Sequence, residues 1–309
     1  MKRFFQTLLS LLMILFGISL FIYPTVASWL IEKETASYVE VFNRDYMPAK
    51  TEEESTVKKE NDPLYEKSVA YNEKIFAEGQ VDFSDPWSCV QLPIDMESLS
   101  DDRYGYVSIP SMDVELPLYV GASTENMAKG AVILGQTSLP VGGENTNCVI
   151  AGHRGYHGAP FFREIEKLET GDKVFITNPW ETLTYVVDSI DIIGPYDSHK
   201  VMIREGRDMV TLLTCHPYRS HGKQRYVVYC VRDEGESKSE DSGTQVSETV
   251  VNITTTQPFV SSEPDIQMEN KVRYASGLAI ILMCGFTFLR KRHNCSERAE
   301  SLADEDVKT

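Results

Sequence analysis

Val210-Thr211-Leu212-Leu213-Thr214-Cys215-His216-Pro217-Tyr218, followed by Arg225-Tyr226-Val227-Val228-Tyr229, is the stretch that decides how this chain reads. Residues 210–213 form a short apolar, partly β-branched run with the pattern of a buried strand. The strand is expected to end at Thr214-Cys215, because Pro217 has no N–H to give to a central ladder. Cys215 is then placed where a rigid scaffold hands over to a loop, the usual position for reactive groups. The polar residues 219–224 form that loop. Arg225 opens a second strand, from which its guanidinium can face back across the loop toward the thiol.

A nucleophilic cysteine needs a base and an electrostatic stabiliser. Val149-Ile150-Ala151-Gly152-His153-Arg154-Gly155 is a second apolar strand ending in glycines, with His153 at its end. A free thiol has a pKa of about 8.5, so little is thiolate at neutral pH. His153 as imidazolium would raise that share and could protonate an amine leaving group. Acylation of Cys215 by a peptide carbonyl builds negative charge on oxygen, which the permanently charged, planar Arg225 suits. Arg219 is the competing arginine, but it lies within the loop and lacks a following Val-rich strand. His157, His199, His216 and His221 read as loop side chains.

Thr211-Leu212-Leu213-Thr214-Cys215 resembles the TLxTC motif of the sortases, membrane-bound cysteine transpeptidases of Gram-positive bacteria. Gly152-His153-Arg154-Gly155, with Phe161-Phe162 and residues 168–172 behind it, resembles their histidine segment. The resemblance covers roughly residues 104–232. It implies an eight-stranded β-barrel, a catalytic set of Cys215, His153 and Arg225, and an acyl-thioester formed from an LPxTG-type sorting signal and passed to an amine. One departure is His216, where Thr is common; the loop before Arg225 also reads as slightly long. Asp85-Pro86-Trp87 is by itself a turn, since Asp-Pro favours turn initiation. By resemblance it matches the lid that class C, pilin-polymerising sortases carry ahead of the barrel. The implied partners are LPxTG-type sorting-signal proteins, pilins above all, with no metal and no cofactor.

The rest of the sequence bounds this reading. With 309 residues, 42% of them hydrophobic, the chain can bury one good-sized core and still carry extra segments. A formal charge of −16 with no basic face argues against nucleic acid. Cys89, Cys148, Cys215, Cys230, Cys284 and Cys295 show no spacing for zinc. Cys148 and Cys230 fall on strands and read as small buried hydrophobes, while a disulfide between external cysteines stays open.

Taken in order, residues 1–30 read as an N-terminal transmembrane anchor. The apolar run 4–23, about 20 residues at ~1.5 Å each, matches a hydrocarbon core of roughly 30 Å. It is favoured over a cleaved signal peptide because it exceeds the usual signal core. Residues 31–102 read as a stalk of two helices around an acidic turn at 51–60, followed by the lid. The catalytic barrel spans 103–232. Its strands are expected near 105–109, 114–119, 147–151, 173–177, 183–193, 209–213 and 225–231, mostly antiparallel, with short inserted helices at 124–129 and 161–168. The class is therefore mostly β, flanked by two transmembrane helices. Residues 233–272 read as a flexible linker, 273–292 as a second transmembrane helix and 293–309 as a cytoplasmic tail. Lys2-Arg3 and Arg290-Lys291-Arg292 bracket the spans, so the positive-inside rule places both termini in the cytoplasm and the barrel outside. Within the resemblance the alternative is a housekeeping-type sortase that anchors proteins to the cell wall, against which the two spans and the lid speak; outside it the rivals are a non-enzymatic surface receptor built on a barrel, and a papain-like hydrolase. The hydrolase is disfavoured because that family sets its cysteine at a helix start and here Pro217 follows.

Overall fold

The structure, a computed structural model, describes residues 2–47, 59, 61–81, 83, 103–156, 159–220, 222–233, 263–268, 271–272 and 274–275; within the first helix, side chains are described at 19, 22, 23, 26 and from 28 onward. The chain divides into two units, Met1–Ser261 and Ser262–Thr309. Of the second, only short helical stretches are described, over residues 264–268, 271–272 and 274–275.

Eight strands close into a barrel: β1 (Arg103–Ile109), β2 (Val114–Val120), β3 (Ala131–Ile133), β4 (Thr146–Ala151), β5 (Lys173–Thr177), β6 (Thr182–Ile193), β7 (Asp208–His216) and β8 (Gln224–Arg232). Their order around the barrel is β1-β2-β3-β4-β7-β8-β6-β5, and β5 returns to pair with β1. Closure leaves no sheet edge to be covered. Two pairs are parallel, β2 with β3 and β4 with β7. Antiparallel pairing therefore prevails as expected, except at these two pairs.

Alternation along the strands sorts side chains between two apolar clusters. The larger draws on all eight strands, among them Val107, Leu118, Ile133, Ile150, Ile176, Tyr185, Leu212 and Val228, and fills the barrel. The smaller lies on the outer face of β2, β3, β4, β7 and β8. Strands β3 and β4 are buried on both faces, which is why they read as unbroken apolar runs. Cys148 and Cys230 are buried free thiols, as expected.

Strand β3, three residues after Gly130, was absent from the seven expected strands. Strand β7 continues through Cys215 to His216, because β8 keeps supplying partners as far as His216 opposite Gln224; the break comes at Pro217, across a cis His216–Pro217 bond. The expected helix at 124–129 is present over Thr124–Lys129, with the Ser123 side chain accepting from the Asn126 N–H. The segment 161–168 is instead a run of turns with one short 3-10 helix, Ile165–Lys167.

The N-terminal region differs in form. Helix α1 is continuous over Lys2–Tyr46, so the apolar run 4–23 and the first stalk helix are one element. Among the described residues no helix is long and apolar enough to cross a membrane, most side chains of 4–23 lie outside the described residues, and of 274–289 only 274–275 are described. The C-terminal half of α1 docks on the barrel: Val39 and Phe42 are buried, the Phe42 ring meets Tyr106 edge-on at 5.8 Å, and the Tyr38 hydroxyl donates to the Gly105 carbonyl at 3.1 Å.

Helix α2 (Pro63–Ala77) starts with the Asp62 carboxylate accepting from the Leu64 N–H and with Pro at its first position. Its inner face is fastened by polar contacts as well as apolar ones. The Tyr104 hydroxyl donates to Ser68 at 2.8 Å. Buried Asn72 accepts from the Leu139 N–H at 2.8 Å and donates to its carbonyl at 3.0 Å. Asn72→Ala strands two buried backbone groups, and each lost partner costs about 1–3 kcal/mol. The variant is expected to unfold at clearly lower urea than wild type; an unchanged midpoint would mean that Asn72 does not fasten this helix.

Candidate active site

The site is built from the ends of three adjacent strands. In the parallel β4–β7 pair, Ile150 stands opposite Leu212 and Ala151 opposite Leu213. Two bonds carry the contact further: the Gly152 N–H donates to the Leu213 carbonyl at 3.1 Å, and the Thr214 hydroxyl donates to the Gly152 carbonyl at 2.7 Å. A side chain at 152 would not fit, since a Cβ there would stand 2.9 Å from the Phe162 ring. His153 thus leaves β4 beside the last residues of β7. It is half-buried, and its ring stacks on Tyr156 with centroids 4.7 Å apart and planes 9° from parallel.

On the other side of β7, Cys215 pairs directly with Arg225 across the antiparallel β7–β8 ladder. Facing positions in such a ladder hold their Cβ atoms about 4.5–5.5 Å apart. The Arg225 Nη1 donates to the Gly222 carbonyl at 2.6 Å and to the Gln224 carbonyl at 3.1 Å. Gly222 has φ +78°, and a Cβ there would lie 2.5 Å from that same Nη1. The loop is therefore shaped around the guanidinium. Arg219 is placed elsewhere: exposed, with φ +59°, its guanidinium 5.2 Å from the Tyr218 ring centroid.

Strand alternation assigns faces. Cys215 follows Leu213, and Arg225 precedes Val227, on the outer face; His153 continues the row of Val149 and Ala151. The three expected residues therefore share one outward face at one end of the barrel. Cys215 itself is half-buried. Burial pushes its thiol above the ordinary cysteine value, and the positive charges of Arg225 and then Arg154 pull it back. A thiol under cationic control and opposite a fixed guanidinium is equipped for nucleophilic acyl transfer.

Asp85, Pro86 and Trp87 lie outside the described residues, as do His157 and His221. His199 sits in the 3-10 helix Ser198–Val201. His216 is no loop residue: it is the last residue of β7, on the interior side. There it meets two residues that were not singled out from sequence, Arg154 and Glu166. The available signal was alternation, since the residues next to His153 and Cys215 must point to the opposite face.

A sortase domain matches over residues 107–233. Sortase A of Bacillus anthracis is 31% identical over 124 residues, covering 40% of this chain and 57% of that protein. For sortase D of Bacillus subtilis the share of the relative is 61%, so the chain spans about three-fifths of the length of these curated relatives. Among solved structures, sortase C1 of GBS pilus island 1 is 29% identical with a TM-score of 0.54, covering 64% of this chain and 98% of the other. Streptococcus agalactiae sortase C1, solved with MTSET, is 31% identical with a TM-score of 0.53, covering 62% and 94%. A lid mutant of the S. agalactiae protein also matches. The chain belongs to the sortase family, whose members are cysteine transpeptidases.

Proposed function

We propose that this chain is a membrane-anchored transpeptidase that cleaves an LPxTG-type sorting signal, holds the acyl fragment on Cys215 and passes it to an amine, the side chain of a pilin lysine. The observation that carries the reading is the direct pairing of Cys215 with Arg225 on the face that His153 also occupies. In this mechanism the Cys215 thiolate attacks the scissile carbonyl carbon and a tetrahedral oxyanion forms against Arg225. The oxyanion collapses, the C–N bond breaks, and protonated His153 gives its proton to the departing amine. The acyl-thioester is then attacked by the acceptor amine. His153 takes the proton from that nitrogen and the thiolate leaves.

Likeness to sortase C1 of a pilus island supports the pilin acceptor. The existence of a lid in S. agalactiae sortase C1 supports the same part for Asp85-Pro86-Trp87. Anchoring rests on the apolar runs 4–23 and 274–289 and the basic residues that bracket them.

With a labelled sorting-signal peptide and an amine acceptor, wild type should yield the amide product. Cys215→Ala and His153→Ala should each yield none. Arg225→Lys should lose most of the activity, since an ammonium cannot replace the planar fork, whereas Arg219→Ala should stay active. Normal turnover by Cys215→Ala would end the transpeptidase reading, and pure hydrolysis by wild type would make the protein a protease.

The lid is tested by the double variant Asp85→Ala with Trp87→Ala, followed through alkylation of Cys215. Burying an aromatic side chain stabilises a closed state by about 1.5–3 kcal/mol, so the variant should react severalfold faster. An unchanged rate on folded protein removes the lid and leaves acyl transfer to the wall as the better-supported use of the site.

Topology is tested on intact, wall-stripped cells. External protease should remove the barrel and spare tags at both termini; a mature protein lacking residues 1–27 would show cleavage and no anchor.

A further inference from the structure

Behind the outward face that carries Cys215, His153 and Arg225 lies a second polar group on the interior side. Arg154 and His216 are the immediate chain neighbours of His153 and Cys215, so alternation turns both inward. Arg154 is buried, and its guanidinium is divided among four acceptors. One Nη1 contact is to the His216 Nδ1 at 2.7 Å and another to the Cys215 carbonyl at 3.5 Å. Nη2 pairs with the buried carboxylate of Glu166, and Nε approaches the Arg163 carbonyl at 3.5 Å. The cation also lies over the Tyr226 ring, 5.7 Å from its centroid, and Tyr226 is the neighbour of Arg225 on β8.

These contacts have two consequences. An arginine only donates, so the Nδ1 it meets must carry a lone pair. In this contact the His216 Nδ1 is the acceptor. Arg154 also ties together the three strand ends that must stay in register. It is bonded in sequence to His153, by hydrogen bond to the backbone of Cys215, and through its ring contact to β8. A buried, permanently charged group next to the thiol's own peptide also favours the thiolate.

We propose that Arg154 is a positioning residue for acyl transfer: from behind the thiol it locks Cys215 and His153 in register and supplies a second fixed positive charge, with the His216 ring as one of its acceptors. This rests on the transpeptidase reading for the transfer step, but the charge it assigns can be read without any peptide. Direct contact with the reacting atoms belongs to the outward face; Arg154 acts through the backbone and the field.

The test uses the full chain in detergent and two readouts. The first is the pH dependence of Cys215 alkylation by iodoacetamide, resolved by peptide mass spectrometry so that the other five cysteines do not contribute. The second is kcat and KM for peptide transfer. Arg154→Met alone takes the cation away from the buried Glu166 carboxylate, which can unfold the protein. The deciding variant is therefore Arg154→Met with Glu166→Leu, which removes the pair together. Its melting temperature should stay near wild type. The alkylation midpoint should rise by about one pH unit, so that alkylation at neutral pH falls about tenfold. Transfer kcat should fall by more than that, with KM little changed. Arg154→Lys keeps the charge and loses the fork. It should restore the alkylation midpoint while transfer stays at least about tenfold down, a split that loss of folding would not produce. A folded double variant with wild-type alkylation and transfer overturns the proposal, and a wild-type alkylation midpoint alone overturns its electrostatic half. If wild type transfers no peptide but the midpoint still shifts, the transpeptidase reading fails and the assigned charge stands.

Discussion

The parallel pairing of β4 with β7 is the constraint on which the rest of the site depends. Neither strand carries a complete set of reactive groups. His153 lies at the end of one and Cys215 at the end of the other, more than sixty positions apart in sequence. Their meeting is decided by a ladder of apolar residues buried on both faces, from Cys148 opposite Val210 to Ala151 opposite Leu213. A slip of one residue in that ladder would turn every side chain to the wrong face. It would exchange Cys215 with His216 and present an imidazole where the thiol belongs. Since one face of β7 fills the barrel and the other packs under the outer cluster, such a slip would also misplace Leu212 and Leu213. Core packing therefore fixes the chemistry.

The same alternation explains why the strand ends can be both reactive and rigid. A strand end exposed on one face alone would fray. Here the outward row is Cys215, Arg225 and His153, and the inward row is His216, Tyr226 and Arg154. The inward row is tied through Arg154 to Glu166 on the turn that follows. Gly152 lets Phe162 close over the backbone at that point, and Gly222 leaves room for the Arg225 guanidinium. Each residue that permits close approach serves a charged group a few positions away.

Much of this was legible in the sequence, for a physical reason in each case. Cys215, His153 and Arg225 could be read because each terminates or opens an apolar run, and strand ends are visible as changes of composition. The preference for Arg225 over Arg219 came from the Val-rich run behind it, which supplies the ladder that pairs it with Cys215. Less legible was whatever depends on partners distant in sequence. Strand β3 has only three residues, and its strand character comes from β2 and β4 on either side. The extension of β7 through His216 depends on Gln224 and Arg225 opposite. The mainly antiparallel expectation missed β2–β3 and β4–β7 because orientation between strands leaves no local trace. Nothing local marks Arg154 as buried; its contacts with Glu166 and His216 arise only in space.

The electrostatics of the thiol follow from these placements. Burial in a half-closed site disfavours the thiolate, and it is the strongest influence on Cys215. Two arginines oppose it from opposite faces, Arg225 across the ladder and Arg154 behind the backbone, without fully reversing it. Activation is left to events that bring the imidazole proton balance and the substrate carbonyl into play together. A fully ionised thiolate would be open to oxidation and to any passing electrophile. A thiol held between two cations is ionised only when a proton acceptor and the substrate carbonyl are brought to it together. The barrel thus supplies the fixed charges, and the substrate completes the conditions for attack.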